Sequence, residues 1–352
     1  MLGNKHLTKW RESTMNTTTL GIDLAKNIFQ LHGIDSTGKV TIQRKISRTK
    51  LLEFMVKLPS CLIGMESCGG SNYFARKFSE YGHTVKLMSP QFVKPYVKGN
   101  KNDRNDAEAI CEAVTRPNMR FVSMKTIMQQ DLQSLHRIRS NLIQSRTALV
   151  NQIRGLLAEY GIVLPQQVQK LRNHLPEILA DEKNELSIII RAEFNLLYQD
   201  LVNLDARISS YDTKLKEICN NNHNCQRILE IEGVGFITAT AIIAAMGNPK
   251  AFKNGREFSS WLGLVPRQSS SGGKEKLLGI SKRGDKYIRS LLIHGARAVV
   301  CKIANKEDPR SIWIQKLKER RGINKTCVAV ANKNARIIWA LLNSGEKYAK
   351  VV

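Results

Sequence analysis

Nowhere does this chain assemble the roughly 20 consecutive apolar residues that a membrane-spanning helix needs, and no signal-peptide pattern opens it. A membrane or secreted protein is therefore not expected, and the reading is of a soluble, cytoplasmic one. The seven cysteines, an odd number, include no CxxC pair, which argues against a disulfide frame or a thiolate zinc site and for reduced thiols. The seven histidines, His6, His32, His83, His136, His174, His223 and His294, show no ligand spacing, so any metal is expected on oxygen ligands. Acidic residues are few as well. Only 30 Asp and Glu stand against 55 Lys and Arg, giving a formal charge of +25, and the natural partner for that excess is a polyanion.

What is present suffices for a folded protein. At 352 residues and 42% hydrophobic content, the chain can build two or three domains with buried cores. Residues 1–17 are polar and without periodicity, and are expected as a disordered extension.

Four acidic residues in the first third then stand out: Asp23 in LGIDLAK, Glu66 in LIGMESCGG, and Asp103 and Asp106 in KNDRNDAEAI. The last two are spaced i, i+3, so both can face one side of a helix. Taken singly, such residues are as readily helix caps or solvated surface. Four carboxylates converging on one site would repel one another unless a hard cation neutralised them. The surrounding pattern predicts strands at 18–23, 28–34 and 40–46 with a turn at DSTGK, a helix at 50–57, and a strand at 61–65 ending on Glu66. A helix from about Ser71, a strand at 84–88 and a helix at 103–115 follow. This order implies a mixed sheet with Asp23 and Glu66 on neighbouring strands, facing the helix that carries Asp103 and Asp106. Residues 18–120 resemble a ribonuclease-H-like domain of the Holliday-junction resolvase (RuvC) kind, in which such acids bind Mg²⁺.

Residues 121–222 read as a helical spacer. Met128, Leu135, Leu142, Leu149 and Leu156 recur every seven residues, with Leu132, Ile138 and Ile153 widening the stripe. Phe194, Leu201, Ile208 and Leu215 repeat the spacing, with Ile190, Leu197, Leu204, Tyr211 and Ile218 as the complementary positions. Pro165 and Pro176 lie between the two runs, so the expectation is two long helices with an irregular connection. They either fold back on each other as a coiled-coil arm or pair with another subunit. Arg137, Arg139, Arg146 and Arg154 fall outside the seam and could lie along nucleic acid.

Residues 223–345 read as a mostly α-helical C-terminal domain. Gly233-Val234-Gly235 separates two helical stretches and resembles a helix-hairpin-helix element that holds phosphate on backbone N–H groups, although a simple connecting turn has the same look. Ser269, Ser270 and Ser271 run into Gly272-Gly273, flanked by Arg267, Lys274, Lys282 and Arg283. On composition alone this is a flexible loop able to bring a hydroxyl to a phosphate. From Lys253 to Lys325 there are 18 basic and 6 acidic residues, which makes this the expected nucleic-acid surface. Lys333 and Arg336 share a helix face that reads as solvated before it reads as a phosphate contact, and Trp10, Trp261, Trp313 and Trp339 read as core or surface anchors rather than base-stacking platforms.

The stretch GLVPRQSSSGGKEKLLGISKRGDKYIRSLLIHGARA and the ending AVANKNARIIWALL resemble the DEDD transposases of bacterial insertion sequences, specifically the family numbered one hundred and ten and its eleven-eleven subgroup. The likeness runs from Thr18 to about Leu342. It implies that Asp23, Glu66, Asp103 and Asp106 are metal ligands for Mg²⁺ and that Ser271 is the nucleophile, with Ser270 as the alternative register. It further implies double-stranded DNA partners (element ends and target), a structured guide RNA, dimers pairing into tetramers, and a site in the bacterial cytoplasm at the nucleoid. Against this recombinase reading stand a resolvase-like nuclease that uses water as nucleophile and a non-catalytic nucleic-acid-binding protein.

Overall fold

The computed structural model describes residues 16–99 and 102–349, and they divide into two compact units meeting between Thr126 and Ile127. The expected extension at 1–17 lies outside the described residues except for its end. There Thr17 is buried, and its hydroxyl is 2.7 Å from that of Thr41, so Thr17 packs with the sheet.

The first unit is built on a mixed six-stranded sheet of order β3-β2-β1-β4-β5-β6. Its strands are β1 (Thr19–Asp23), β2 (Ile28–Ile34), β3 (Val40–Ser47), β4 (Leu62–Glu66), β5 (Thr84–Met88) and β6 (Phe121–Val122). β1 runs antiparallel to β2 and parallel to β4, β4 is parallel to β5, and β6 closes the edge antiparallel to β5. The longer helices are α1 (Arg48–Lys57), α2 (Ser71–Glu80) and α3 (Asp103–Val114), with a single helical turn at Pro90–Val93. This arrangement is consistent with a ribonuclease-H-like domain. The apolar alternation of β1, β2 and β4 puts Leu20, Ile22, Phe29, Leu31, Ile63 and Met65 into a core with Phe74 and Phe78 of α2. The one strand of this sheet that the sequence reading lacks, β6, is two residues long and carries no periodicity.

In the second unit, α4 (Ile127–Ala158) and α6 (Ile188–Asn220) fold back on each other as an antiparallel pair. Arg139 meets Asp212, and Arg146 lies 2.9 Å from Asp205. The expected irregular connection holds a helix instead, α5 (Val168–Ala180), which runs through Pro176 and sends Arg172 to the same Asp205. Phe194, Leu201, Ile208 and Leu215 are all buried, but the stripe expected on α4 is the observed one only at Leu132, Leu142 and Ile153. Met128 is 63% exposed and Leu156 39%, while Leu132, His136, Leu142, Val150, Ile153 and Leu157 are inside. α4 touches different neighbours along its length, α8 (Phe236–Met246) as well as α6, so its buried face follows the 3.6-residue helix and not a strict seven-residue seam. Three of the four arginines expected along nucleic acid are engaged within the arm, since Arg154 donates to the Pro165 carbonyl and Arg139 and Arg146 are paired as above.

The remaining helices are α7 (His223–Leu229), α9 (Gly255–Trp261), α10 (Lys286–Cys301) and α11 (Pro309–Ser344), with a two-stranded sheet of β7 (Pro266–Ser271) and β8 (Lys274–Ile280). α11 is broken at Gly322, whose φ of 75° and ψ of 164° are not helical. α8 reads FITATAIIAAM and is buried nearly all round, joining the arm to the C-terminal helices in one core. Residues 127–349 therefore form one compact unit with no second boundary at 222. Among the described residues no helix is long and apolar enough to cross a membrane.

A buried polar chain crosses this core. The Thr240 hydroxyl donates to the Phe236 carbonyl at 2.7 Å, so its oxygen accepts from His136 Nε2 at 3.0 Å and leaves Nδ1 to accept from Tyr287 at 3.1 Å. Burial, and then the charge of Arg139, outweigh Asp285 and hold the His136 imidazole neutral, with its pKa lowered to about 4. The native state therefore excludes a proton that the unfolded chain takes up near pH 6.5. Stability is complete above that pH and is lost as pH falls toward 4, by about 3 kcal/mol. His32 contributes with the same sign, its pKa being lowered chiefly by burial. Denaturant unfolding at pH 7 and pH 5 should show about 2 kcal/mol of this loss, and His136→Gln should flatten it; an unchanged slope in the variant would remove His136 as the cause.

Candidate active site

Asp23 and Glu66 end β1 and β4, two parallel neighbours whose register pairs Gly21 with Gly64 and Ile22 with Met65. One residue further on, the two acids stand level. Both glycines face α3. A Cβ at Gly21 would stand 2.3 Å from the Ala107 carbonyl oxygen and 2.5 Å from Cys111 N, and one at Gly64 would stand 2.8 Å from the Val114 Cβ. The helix thus lies directly on the strand backbone. Because side chains two residues apart share a face, Asp23 and Glu66 point to the side that α3 covers. The helix runs opposite to β1: Cys111 is beside Thr19 and Ala107 beside Gly21, so one turn before Ala107 Asp103 comes level with Asp23, with Asp106 in the turn between. Asn102 caps α3 by accepting from Asn105 N at 2.9 Å, which fixes where this first turn begins.

Cross-strand pairing extends the site. Asp23 is opposite Gln30, and Gln30 is opposite Lys45, so the three share one face of the sheet. Lys45 Nζ reaches Asp103 Oδ2 at 3.7 Å. Gln30 is 6% exposed and its Oε1 has no hydrogen-bond partner. An orphaned amide oxygen beside carboxylates is an all-oxygen donor set, which fits a hard divalent cation such as Mg²⁺. Among the described residues, however, no three Asp, Glu, His or Cys side chains are gathered closely enough to hold an ion as they stand. The exposed Cys68 marks the same place, since burial of its sulfur, and then the charges of Glu66 and Asp23, push its thiol upward. Sequence reasoning passed over Gln30 and Lys45. The available signal was the polar residue between Phe29 and Leu31 in an otherwise apolar strand.

The expected flexible serine loop is a β-hairpin. Ser271 pairs with Lys274 across Gly272-Gly273, and both glycines have positive φ, 55° and 76°, as a two-residue type I′ turn requires. Its strands escaped the sequence reading because PRQSSS is exposed at every position, so no apolar alternation announces it. Pairing sorts the serines. Ser271 and Ser269 are opposite Lys274 and Lys276, whereas Ser270 is opposite Glu275 and accepts from Gln268 Nε2 at 2.8 Å. Arg267 lies in the bulge between Pro266 and Gln268.

The hairpin's foot is anchored through backbone. Arg289, buried on α10, donates to the carbonyls of Leu262 and Arg283 at 3.1 and 3.3 Å. Lys282 adopts φ 54°, unusual for a residue with a Cβ, and its N–H is tied to the Gly263 carbonyl at 3.2 Å. The side chains of Lys282 and Arg283 are exposed. Gly233 and Gly235 do separate two helices, α7 and α8, but they differ in setting. Gly233 lies against Gly295 of α10, where a Cβ would come within 2.8 Å of the carbonyl oxygen, while Gly235 stands in open space at the N-terminus of α8.

The family profile described as the DEDD transposase matches residues 20–162, and that described as "Transposase IS116/IS110/IS902 family" matches 225–310. The chain is 49% identical to the transposase for insertion sequence element IS1111A of Coxiella burnetii, over 97% of this chain and 93% of that protein. It is 48% identical to a probable family 20 transposase of Pseudomonas aeruginosa, over 94% and 98% respectively. It is 39% identical to the transposase for insertion sequence element IS1328 of Yersinia enterocolitica, over 95% and 99%. With Asp23 and Glu66 on one sheet face and likeness along almost its whole length, the chain belongs to the IS110/IS1111 family of insertion-sequence transposases, enzymes that cut and rejoin DNA.

Proposed function

We propose that the chain moves an insertion sequence by a serine-dependent, metal-dependent strand exchange. The observation that carries this reading is the row Asp23, Gln30 and Lys45, with Asp103 reached by Lys45 and Glu66 level with Asp23. It provides oxygen donors from four separate elements, β1, β2, β4 and α3, on one covered face. Mg²⁺ bound there would supply positive charge for a reacting phosphate. Ser271 is the favoured nucleophile over Ser270, because its face of the hairpin carries Lys274 and Lys276 and so stabilises phosphate charge, while that of Ser270 carries Glu275.

In the proposed step the Ser271 oxygen forms a bond to phosphorus, the bond from phosphorus to one deoxyribose oxygen breaks, and the serine proton ends on the leaving oxygen or on water. One phosphodiester is exchanged for another, so a hydroxyl of a second strand can reverse the step and rejoin DNA without ATP. The eighteen basic residues between Lys253 and Lys325, with the N–H groups at Gly235, are assigned to DNA and to a structured guide RNA, and the working form to dimers that pair as tetramers.

Incubating the full chain with a plasmid bearing the element should give Mg²⁺-dependent excision and a protein–DNA adduct that survives denaturation. Asp23→Asn should lose both while DNA retention on a filter stays within about threefold, since binding and chemistry draw on different groups. Hydrolysed ends with no adduct under any trapping condition would instead support water as nucleophile. Sequencing the RNA that co-purifies tests the guide: a transcript of the element's flank is expected, and bulk cellular RNA alone would remove it.

A further inference from the structure

A cleft of about 1020 Å³ lies in the second unit between α9, α11 and the foot of the serine hairpin. Its long wall is one face of α11, where Lys325, Ala329, Lys333, Arg336 and Ala340 recur every three or four residues. Arg256 of α9 stands on the other side, and Pro266 and Ile280, the outer ends of the hairpin strands, close the rim. Every charged residue lining it is basic. Trp313, on the segment of α11 before the break at Gly322, is half-buried in the wall, and Lys333 Nζ sits 4.5 Å from its ring centroid across the bend.

These features select among ligands. The volume is at the upper end of what a small-molecule site occupies, about 300–1,000 Å³, which suits a run of polymer. Cations with no carboxylate among them suit a phosphate backbone. An indole face can take a base only when that base is unpaired, because duplex bases turn their faces to each other. Ser271 is five residues from Pro266, roughly 17 Å along the strand, so a strand lying in the cleft continues toward the hairpin tip.

We propose that this cleft binds an unpaired DNA strand next to the reacting phosphodiester, with a base stacked on Trp313 and phosphates on Lys333, Arg336 and Arg256. The choice of DNA rests on the reading that the hairpin serine meets DNA. Lys333 is poised for this: moving from the indole to a phosphate frees the ring for the base. The consequence is that DNA is held single-stranded beside the serine as it exchanges partners.

The test uses the full chain with an oligothymidylate of about twelve nucleotides, a duplex of equal length and the matching oligouridylate. Oligothymidylate should quench tryptophan fluorescence. Trp313→Leu should remove most of that quench and weaken binding about tenfold, Trp313→Phe should restore most of the affinity, and duplex binding should stay within about twofold. Lys333→Ala, an exposed position that carries no folding risk, should lower the salt dependence of oligothymidylate binding by about one ion. Equal weakening of duplex and single strand, or full affinity in both variants, would overturn the proposal, as would Trp313-dependent binding of oligouridylate alone. Ser271→Ala should bind oligothymidylate normally, so a failure of the serine chemistry and a failure of the cleft are read separately.

Discussion

Ser271→Ala is expected to abolish excision and the covalent protein–DNA adduct, a loss of about 10⁴-fold or more in strand exchange, with DNA and RNA binding retained. The size follows from the chemistry. A nucleophile that forms a bond has no substitute unless water can take its place, and water gives hydrolysed ends, not joined ones. Ser270→Ala should keep activity within about tenfold, because its hydroxyl lies on the opposite face of the strand, engaged with Gln268. The pair of variants fixes the register by one residue. Excision that survives Ser271→Ala but not Ser270→Ala would assign the reaction to the other serine, and survival in both would remove the hairpin from the chemistry. The exposure of β7 makes the comparison clean, since neither hydroxyl supports a core.

Gly21→Ala is expected to be the most damaging single methyl group in the first unit. Its Cβ would stand 2.3 Å from a backbone oxygen and 2.5 Å from a backbone nitrogen of α3, neither of which can rotate away as a flexible side chain could. Relief requires lifting the helix off the sheet, at a cost of about 3 kcal/mol or more. That movement carries Asp103 and Asp106 away from Asp23, so metal-dependent activity should fall further than the stability change alone accounts for. Gly69→Ala, where the added carbon meets nothing within 4 Å, is the matched control and should stay within about 0.5 kcal/mol. Denaturant unfolding of both variants decides the matter: a Gly21→Ala protein as stable as Gly69→Ala would mean that α3 has slack under it.

Much of the first unit was legible in the sequence because its strands each hide one or both faces. Alternation around Leu20, Phe29 and Ile63 located β1, β2 and β4, and the acids ending two of them, with two more opening a helix, marked the shared face. The paired glycines beneath α3 were not legible. Their meaning depends on a helix 86 residues downstream of Gly21, at Ala107, coming within van der Waals distance of both. Heptad counting misplaced the buried face of α4 because a helix that meets several neighbours in turn has no single seam. The serine hairpin was invisible for the opposite reason, as it has no buried face to impose a period. Gln30 was readable in principle, yet only its pairing with Asp23 gives a polar residue in an apolar strand a chemical context.

That same hairpin sets how binding couples to chemistry. Two strands without a core beneath them are marginally stable by themselves, so on the proposed reading Ser271 would sample a range of positions until nucleic acid lay against it. The ordering free energy is then drawn from contacts made along the whole nucleic acid. On that reading a site matched over its full length would fix the serine, and a partly matched one would leave it unfixed and slow the first bond to break. Fidelity would then be a property of rate, reached without any residue reading the sequence at the point of cleavage.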